Sequence, residues 1–294
     1  MNKSDNNTDL ILKAAVIGNP IGHSLSPVIH NYWLNKYGIN GKYEKILVNG
    51  DDLKDFILSL NKNGFSGINV TIPHKENVIK YLSEQNKDVQ NIGACNTILV
   101  NDSEIIGNNT DHYGFIENIK QELQGYSFNG KDIVILGAGG ASRAIIYGLI
   151  NQSVNNIYLL NRTRKKSEVI AKDLISSIGG KIEVKDWEDR NKIISSADML
   201  VNTTSLGMVG QKELDIDLSL LKKDAVVTDI VFNPLITPLL QQAKDKNYQI
   251  VDGLGMLLHQ AAPAFKSFFD RDNKYIDGLP KVTNELRKEV LSKL

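Results

Sequence analysis

Gly137-Ala138-Gly139-Gly140-Ala141-Ser142 follows the apolar run Asp132-Ile-Val-Ile-Leu136 and opens a stretch of helical character. A strand that turns on glycines into a helix suits a dinucleotide. Gly137 allows the tight turn, Gly139 lets a pyrophosphate approach the backbone, and the helix N-terminus attracts its negative charge. The third small position holds Ser142 rather than glycine. About 20 to 25 residues further on, an NAD site would carry a carboxylate to read the ribose. The segment there is Asn161-Arg162-Thr163-Arg164-Lys165-Lys166, with no acid in it. Cations suit a 2′-phosphate, and they oppose the dipole of the helix they open, so NADP is expected rather than NAD.

Four polar clusters interrupt the earlier part of the chain. Gly18-Asn-Pro-Ile-Gly-His23-Ser24-Leu25-Ser26-Pro27 follows a first strand, and Ser26 with Pro27 reads as a helix N-cap and first turn. Capping accounts for Ser26 but not for Ser24. Asn69-Val70-Thr71-Ile72-Pro73-His74-Lys75 ends in a lysine at a helix start. Ala94-Cys95-Asn96-Thr97 and Asn108-Asn109-Thr110-Asp111 add two Asn-Thr pairs. Each alone is ordinary, because surface lysines and Asn turns are common.

Composition narrows the functional classes. The 294 residues carry 34 Lys plus Arg against 34 Asp plus Glu, so no net field would gather nucleic acid or an anionic membrane. Cys95 is the only cysteine, which excludes an intrachain disulfide, a CxxC pair and a cysteine-rich zinc site. No ligand cluster suggests a metal. The segment Met1-Asn-Lys-Ser-Asp-Asn-Asn-Thr-Asp-Leu10 lacks the apolar run of a signal peptide, and no stretch has the length of a membrane span, so the cytoplasm is expected.

The elements that must position these residues alternate. Ala14 to Gly18, Tyr43 to Val48 and Gly67 to Thr71 read as strands. Leu53, Phe56, Ile57 and Leu60 mark one helix face behind an Asp51-Asp52 start. A hairpin around Asn101-Asp102 joins Cys95 to Val100 with Glu104 to Gly107. After a helix bearing Phe115, Ile116, Ile119 and Leu123, strands recur at Asp132 to Leu136, Asn156 to Leu160, Lys181 to Val184, Met199 to Asn202, Ala225 to Ile230 and Gln249 to Val251. Two helical segments, Gly255 to Asp270 and Lys281 to Leu294, close the chain. Strand-helix alternation implies an α/β protein with mainly parallel sheets.

Taken in order, the strings GNPIGHSLSP, NVTIPHK, NTD, GAGGASR, NRT and DGLGMLLHQAA resemble the shikimate dehydrogenase family from near Ala14 to the C-terminal helices. The resemblance implies reversible NADPH-dependent reduction of 3-dehydroshikimate to shikimate, in the supply of aromatic amino acids, with the active site in a cleft between domains. It implies an α/β substrate-binding domain over residues 1–111, a doubly wound Rossmann-type NADP domain over 112–252, and C-terminal helices over 253–294 that return to the first domain. Carried over by motif, Lys75 and Asp111 form the catalytic pair. Ser24 and Ser26 bind the substrate carboxylate, and Asn69, Thr71, Asn96 and Gln260 its ring hydroxyls. The cofactor falls to Gly137, Ala138, Gly139, Gly140, Ala141 and Ser142, to Asn161, Arg162, Thr163 and Lys166, and, near the nicotinamide, to Asn202, Thr203, Thr204, Gly253 and Met256. The partner implied is a small molecule; a homodimer is left open.

Two positions depart from the family pattern. His112 stands where glycine usually follows Asn-Thr-Asp, and Phe232, before Asn233-Pro234, stands where a substrate-facing tyrosine is common. The alternatives are a quinate/shikimate dehydrogenase with broader substrate or NAD use, and an inactive cofactor- or metabolite-binding regulator on the same fold.

Overall fold

A computed structural model describes residues 11–102 and 104–294; the polar segment 1–10, read above for the absence of a leader, lies outside the described residues. Two compact units emerge. The first takes the described residues up to Asn86 with Cys95–Asn108 and Ala261–Lys293, and the second takes Lys87–Ala94 and Asn109–Gln260.

In the first unit the chain runs through β1 (Leu12–Gly18), α1 (Ser26–Tyr37), β2 (Gly41–Leu47), α2 (Leu53–Leu58), β3 (Phe65–Val70) and β4 (Glu84–Gln85). The helix α3 (Lys87–Ile92) belongs to the second unit, and β5 (Thr97–Asn101) and β6 (Glu104–Asn108) return to the first. The sheet order is β2-β1-β3-β5-β6-β4, with β1 parallel to β2 and β3, and β5 antiparallel to both β3 and β6. The hairpin read from Asn101-Asp102 is therefore real, and Asp102 takes the positive φ of 47° that its turn needs.

The second unit continues with α4 (Asp111–Glu122), β7 (Asp132–Leu136), α5 (Gly140–Asn151), β8 (Asn156–Leu160), α6 (Arg164–Ile178), β9 (Ile182–Lys185), α7 (Arg190–Ile193), β10 (Met199–Asn202), β11 (Val226–Asp229), α8 (Pro238–Asp245) and β12 (Gln249–Val251). All neighbours in its sheet, ordered β12-β11-β10-β7-β8-β9, run parallel. That is the doubly wound dinucleotide order, whose switch point falls between β7 and β10. Burial explains the apolar runs. Ile133 and Ile135 of β7 enter one core with Ala144, Ile145 and Leu149 of α5, while Val134 and Leu136 enter another with Leu239, Leu240 and Ala243 of α8. A strand covered on both faces has no polar side to alternate with.

The chain closes with α9 (Leu254–Phe269), whose residues from Ala261 onward count with the first unit, and with α10 (Asn284–Leu291). Phe265 and Phe268 of α9 are buried in the first unit, where Phe265 meets Trp33 of α1 at 5.4 Å between ring centroids. Among the described residues no helix is long and apolar enough to cross a membrane.

Three expectations about local structure change. Ser26 is not the N-cap of α1: it is the first helical residue, Leu25 is the cap, and the Ser24 hydroxyl instead accepts from the Ser26 amide at 3.4 Å. The last helix begins later than Lys281 because the Thr283 hydroxyl caps it, accepting from Leu286 N, and it buries Leu286 and Val290. Lys75 precedes a short 3-10 turn, Asn77–Tyr81, rather than an α-helix.

Candidate active site

The polar residues of the first unit meet at the carboxyl ends of β1 and β3. Register sets this. Ala14 of β1 pairs with Tyr43 of β2 on one side and with Gly67 of β3 on the other, so Tyr43 lies two strands from Asn69. The Tyr43 hydroxyl donates to Asn69 Oδ1 at 2.7 Å and lies within hydrogen-bond reach of the Ser26 side chain. Asn69 Nδ2 donates to the Asn96 carbonyl and to Thr97 Oγ1, both at 3.1 Å, and Thr97 Oγ1 donates to Asn96 Oδ1 at 2.9 Å. One buried chain of hydrogen bonds thus links Ser26, Tyr43, Asn69, Thr97 and Asn96. Burial raises the Tyr43 phenol above its ordinary range, so it stays a donor.

Thr71 and Lys75 follow in the same unit. Thr71 N donates to Ile17 O at 2.9 Å, which extends the β1–β3 pairing, and the Lys75 carbonyl accepts from Cys95 N at 2.8 Å. Both side chains are half-buried, as is Ser24. Ser24, Ser26, Asn69, Thr71, Lys75 and Asn96 therefore all belong to the first unit. Tyr43 carried no signal in the sequence; only strand register connects it to Asn69.

In the second unit, Gly137 ends β7 with φ at 113°, and a Cβ there would stand 2.5 Å from Thr203 Oγ1. Both the backbone conformation and the approach of the chain after β10 require glycine. Thr203 closes that approach, its amide and hydroxyl both donating to the Leu136 carbonyl at 2.8 Å. Gly139 differs: a Cβ on it would meet nothing within 4 Å. Packing within the protein does not ask for glycine there, whereas an anion laid against the start of α5 would. Gly140 opens the helix with Ala141 and Ser142 behind it, and the buried Ser142 hydroxyl donates back to Gly137 O at 2.8 Å. Ser142 thus binds the turn to the helix where a third glycine would permit only close packing.

Beside this turn, a pocket of about 320 Å³ is lined by Asn161, Arg162, Trp187, Thr204, Ser205, Leu206, Gln211 and Lys212. None of its lining residues is acidic. Arg162 comes from the end of β8, and Lys212 from the loop after β10, which carried no pattern to single it out. Arg164 is spent elsewhere, donating to Glu168 at 2.9 Å and to Asp186 at 2.7 Å. Thr163 and Lys166 are exposed at the start of α6 and do not line the pocket. The donors of Arg162, Lys212 and Asn161 fit an anionic ribose phosphate, and the turn fits a pyrophosphate.

Asn202 organises the neighbouring loop. Its Oδ1 accepts from the amide and hydroxyl of Thr204 at 3.0 and 2.7 Å, while its amide donates to Asp229 Oδ1 at 3.0 Å. Gly253 is pressed against the strand end, since a Cβ would lie 2.4 Å from Ile230 O, and Met256 is buried. Phe232 is half-buried on the segment after β11. Asp111, 4% exposed, is the first residue of α4; Thr110 Oγ1 and Gln260 Oε1 stand 3.5 Å apart beside it. Asp111 and Gln260 thus count with the second unit. Among the described residues no cluster of His, Cys, Asp and Glu forms a metal site.

Residues 16–98 match the shikimate dehydrogenase substrate binding domain, and residues 117–256 match the shikimate / quinate 5-dehydrogenase domain. The NADP(+) shikimate dehydrogenase of Dinoroseobacter shibae is 45% identical over 280 residues, 95% of this chain and 97% of the relative. A crystal structure of a shikimate dehydrogenase in complex with NADP+ superposes with a TM-score of 0.87 at 34% identity, covering 96% of both chains. A quinate dehydrogenase from Corynebacterium glutamicum in complex with NAD reaches 0.86 at 27% identity, covering 96% of this chain and 99% of that one.

Proposed function

The chain belongs to the shikimate dehydrogenase family, and from that premise we propose that it interconverts 3-dehydroshikimate and shikimate with NADP as its cofactor, in the supply of aromatic amino acids. The observation that carries the cofactor choice is the pocket beside the glycine turn, lined by Arg162 and Lys212 and by no acid. A 2′-phosphate would find charge-assisted donors there, and the ribose hydroxyl of NAD would find no carboxylate. The partner is a small molecule, and the compartment follows as the cytoplasm.

Bound NADPH supplies a hydride to the ketone carbon. The developing charge on the oxygen then calls for a proton from a positioned acid. Lys75 gives that proton from Nζ, and Asp111 stabilises the ammonium and orients it. In the other direction Lys75 takes the hydroxyl proton at Nζ. Ser24 and Ser26 hold the carboxylate, with Asn69, Thr71, Asn96 and Gln260 on the ring hydroxyls. A buried hydroxyl left unpaired costs about 1 to 3 kcal/mol, which is why a polyhydroxylated acid needs so many partners. The chain Ser26–Tyr43–Asn69–Thr97–Asn96 supports this part, since it sets the direction of two of those amides before substrate arrives.

Initial rates with shikimate and quinate, each with NADP and NAD, test the proposal. The shikimate-NADP pair should be fastest. Faster oxidation of quinate, or equal use of NAD, would assign the broader dehydrogenase instead, and ligand binding without turnover would assign a regulator.

A further inference from the structure

Asp111 is held by its neighbours in sequence rather than by a side-chain cap on α4. On one side, Asn109 Oδ1 accepts from the Asp111 amide at 3.0 Å, and Asn109 Nδ2 donates to the Ala94 carbonyl at 2.8 Å. On the other side, His112 Nε2 stands 3.5 Å from Asp88 Oδ2. Ala94 and Asp88 belong to one short stretch, α3 and the residues just after it. The residues flanking Asp111 are therefore both fastened to that stretch.

The second fastening is itself braced. Tyr147 of α5 donates to Asp88 Oδ1 at 2.7 Å, which leaves Oδ2 to His112, and the His112 and Tyr147 rings meet edge to face at 5.2 Å. Burial and the bond to Asp88 raise the Tyr147 phenol above its usual range, so it remains a donor. Gly148 lets α5 come this close: a Cβ there would lie 3.3 Å from His112 Cβ. Successive helical side chains point about 100° apart, so fixing the His112 ring fixes the rotation of the turn and with it the direction of the Asp111 carboxyl.

We propose that His112 is a positioning residue, which through Asp88 and Tyr147 provides a second anchor for the first turn of α4 and so aims Asp111. This rests on the reading of Asp111 as a catalytic carboxylate. The His112 ring meets Asp88 and Tyr147, so its contacts brace the turn that carries Asp111. The pair is partly exposed, with side chains 22% and 30% accessible, so it contributes little to global stability. Its loss should leave the fold intact and loosen only the turn, and small misplacements of a catalytic group reduce turnover strongly.

The test compares full-length wild type, His112→Ala, Asp88→Asn, the double variant and His112→Gln, whose amide can take the place of Nε2. Two readouts are needed: kcat and KM for shikimate at saturating NADP, and hydrogen exchange of the amides at 111–114 without ligand. His112→Ala should lower kcat about three- to tenfold with KM for shikimate little changed, and should speed exchange at those amides. The double variant should be no slower than His112→Ala alone, and His112→Gln should restore both readouts. Unchanged kcat and exchange in His112→Ala, additive losses in the double variant, or failure of His112→Gln to rescue would each overturn the anchor. If wild type does not oxidise shikimate at all, the functional reading fails, while the exchange measurement still decides whether the anchor exists.

Discussion

Asn202 donates to Asp229 Oδ1 at 3.0 Å, and both residues are completely buried. Asp229 also accepts from Val231 N at 3.0 Å and from the Thr237 hydroxyl at 2.8 Å, so one carboxyl ties together the chain after β10, the chain after β11 and the start of α8. Burial outweighs these donors and pushes the group up to about 6. In the unfolded chain its proton leaves near pH 4. Between those values the folded chain keeps a proton that the unfolded chain has lost, so this contribution to stability is complete below about pH 4 and is lost as pH rises through about 6. Urea unfolding of wild type and Asp229→Asn at pH 4 and pH 6.5 should show the wild type losing about 2 kcal/mol relative to the variant over that interval. A difference that stays constant with pH would contradict this.

His30 has the opposite sign. Its ring is fully buried, stacks on Tyr43 at 3.9 Å between centroids, and has no partner for either nitrogen among the described residues. Burial pushes it down to about 3, against about 6.5 when unfolded. The stability tied to the neutral ring is present above pH 6.5 and is lost as pH falls. His30→Phe keeps the stack with Tyr43 and removes the titration. Relative to wild type it should gain about 2 to 3 kcal/mol between pH 7 and pH 4.5, and equal acid sensitivity of the two proteins would show that the ring nitrogens find a proton partner.

Cofactor choice should follow the pocket rather than the charge of α6. Arg162→Asp should reduce kcat/KM for NADP about 10- to 100-fold, the scale of a lost charge-assisted hydrogen bond, with a smaller effect on NAD. Arg164→Ala should leave the ratio unchanged, because Glu168 and Asp186 already occupy that guanidinium. Equal loss of both cofactors in Arg162→Asp would mean that the arginine does not read the phosphate.

The fold was legible where burial is simplest. Asp132–Leu136, Asn156–Leu160 and Met199–Asn202 run as the sequence suggests to the residue, because parallel strands covered on both faces are nearly continuous apolar runs. Elements without a period escaped notice: β4 is two residues long and α3 six. The cap of α1 differs for a local reason: the Leu25 carbonyl takes the Val28 and Ile29 amides, and the Ser24 hydroxyl takes that of Ser26. Tyr43 and Lys212 were invisible for a global one. Tyr43 reaches Asn69 through register across β1, and Lys212 reaches its pocket from a loop with no pattern.

Lys75→Ala should lose about 100-fold or more in turnover, the lower scale of general acid-base catalysis, with little change in cofactor affinity. Asp111→Asn should behave similarly, since it removes the orienting charge. Steady-state rates with cofactor binding measured separately would check both, and near-normal turnover in a folded Lys75→Ala protein would remove the lysine from the chemistry.

The most direct measurement is the absorbance of NADPH formed by the wild-type protein from shikimate and NADP. NADPH should accumulate in proportion to enzyme and only when shikimate is present. A folded protein that binds NADP yet forms no NADPH from shikimate would contradict the assignment as a shikimate dehydrogenase.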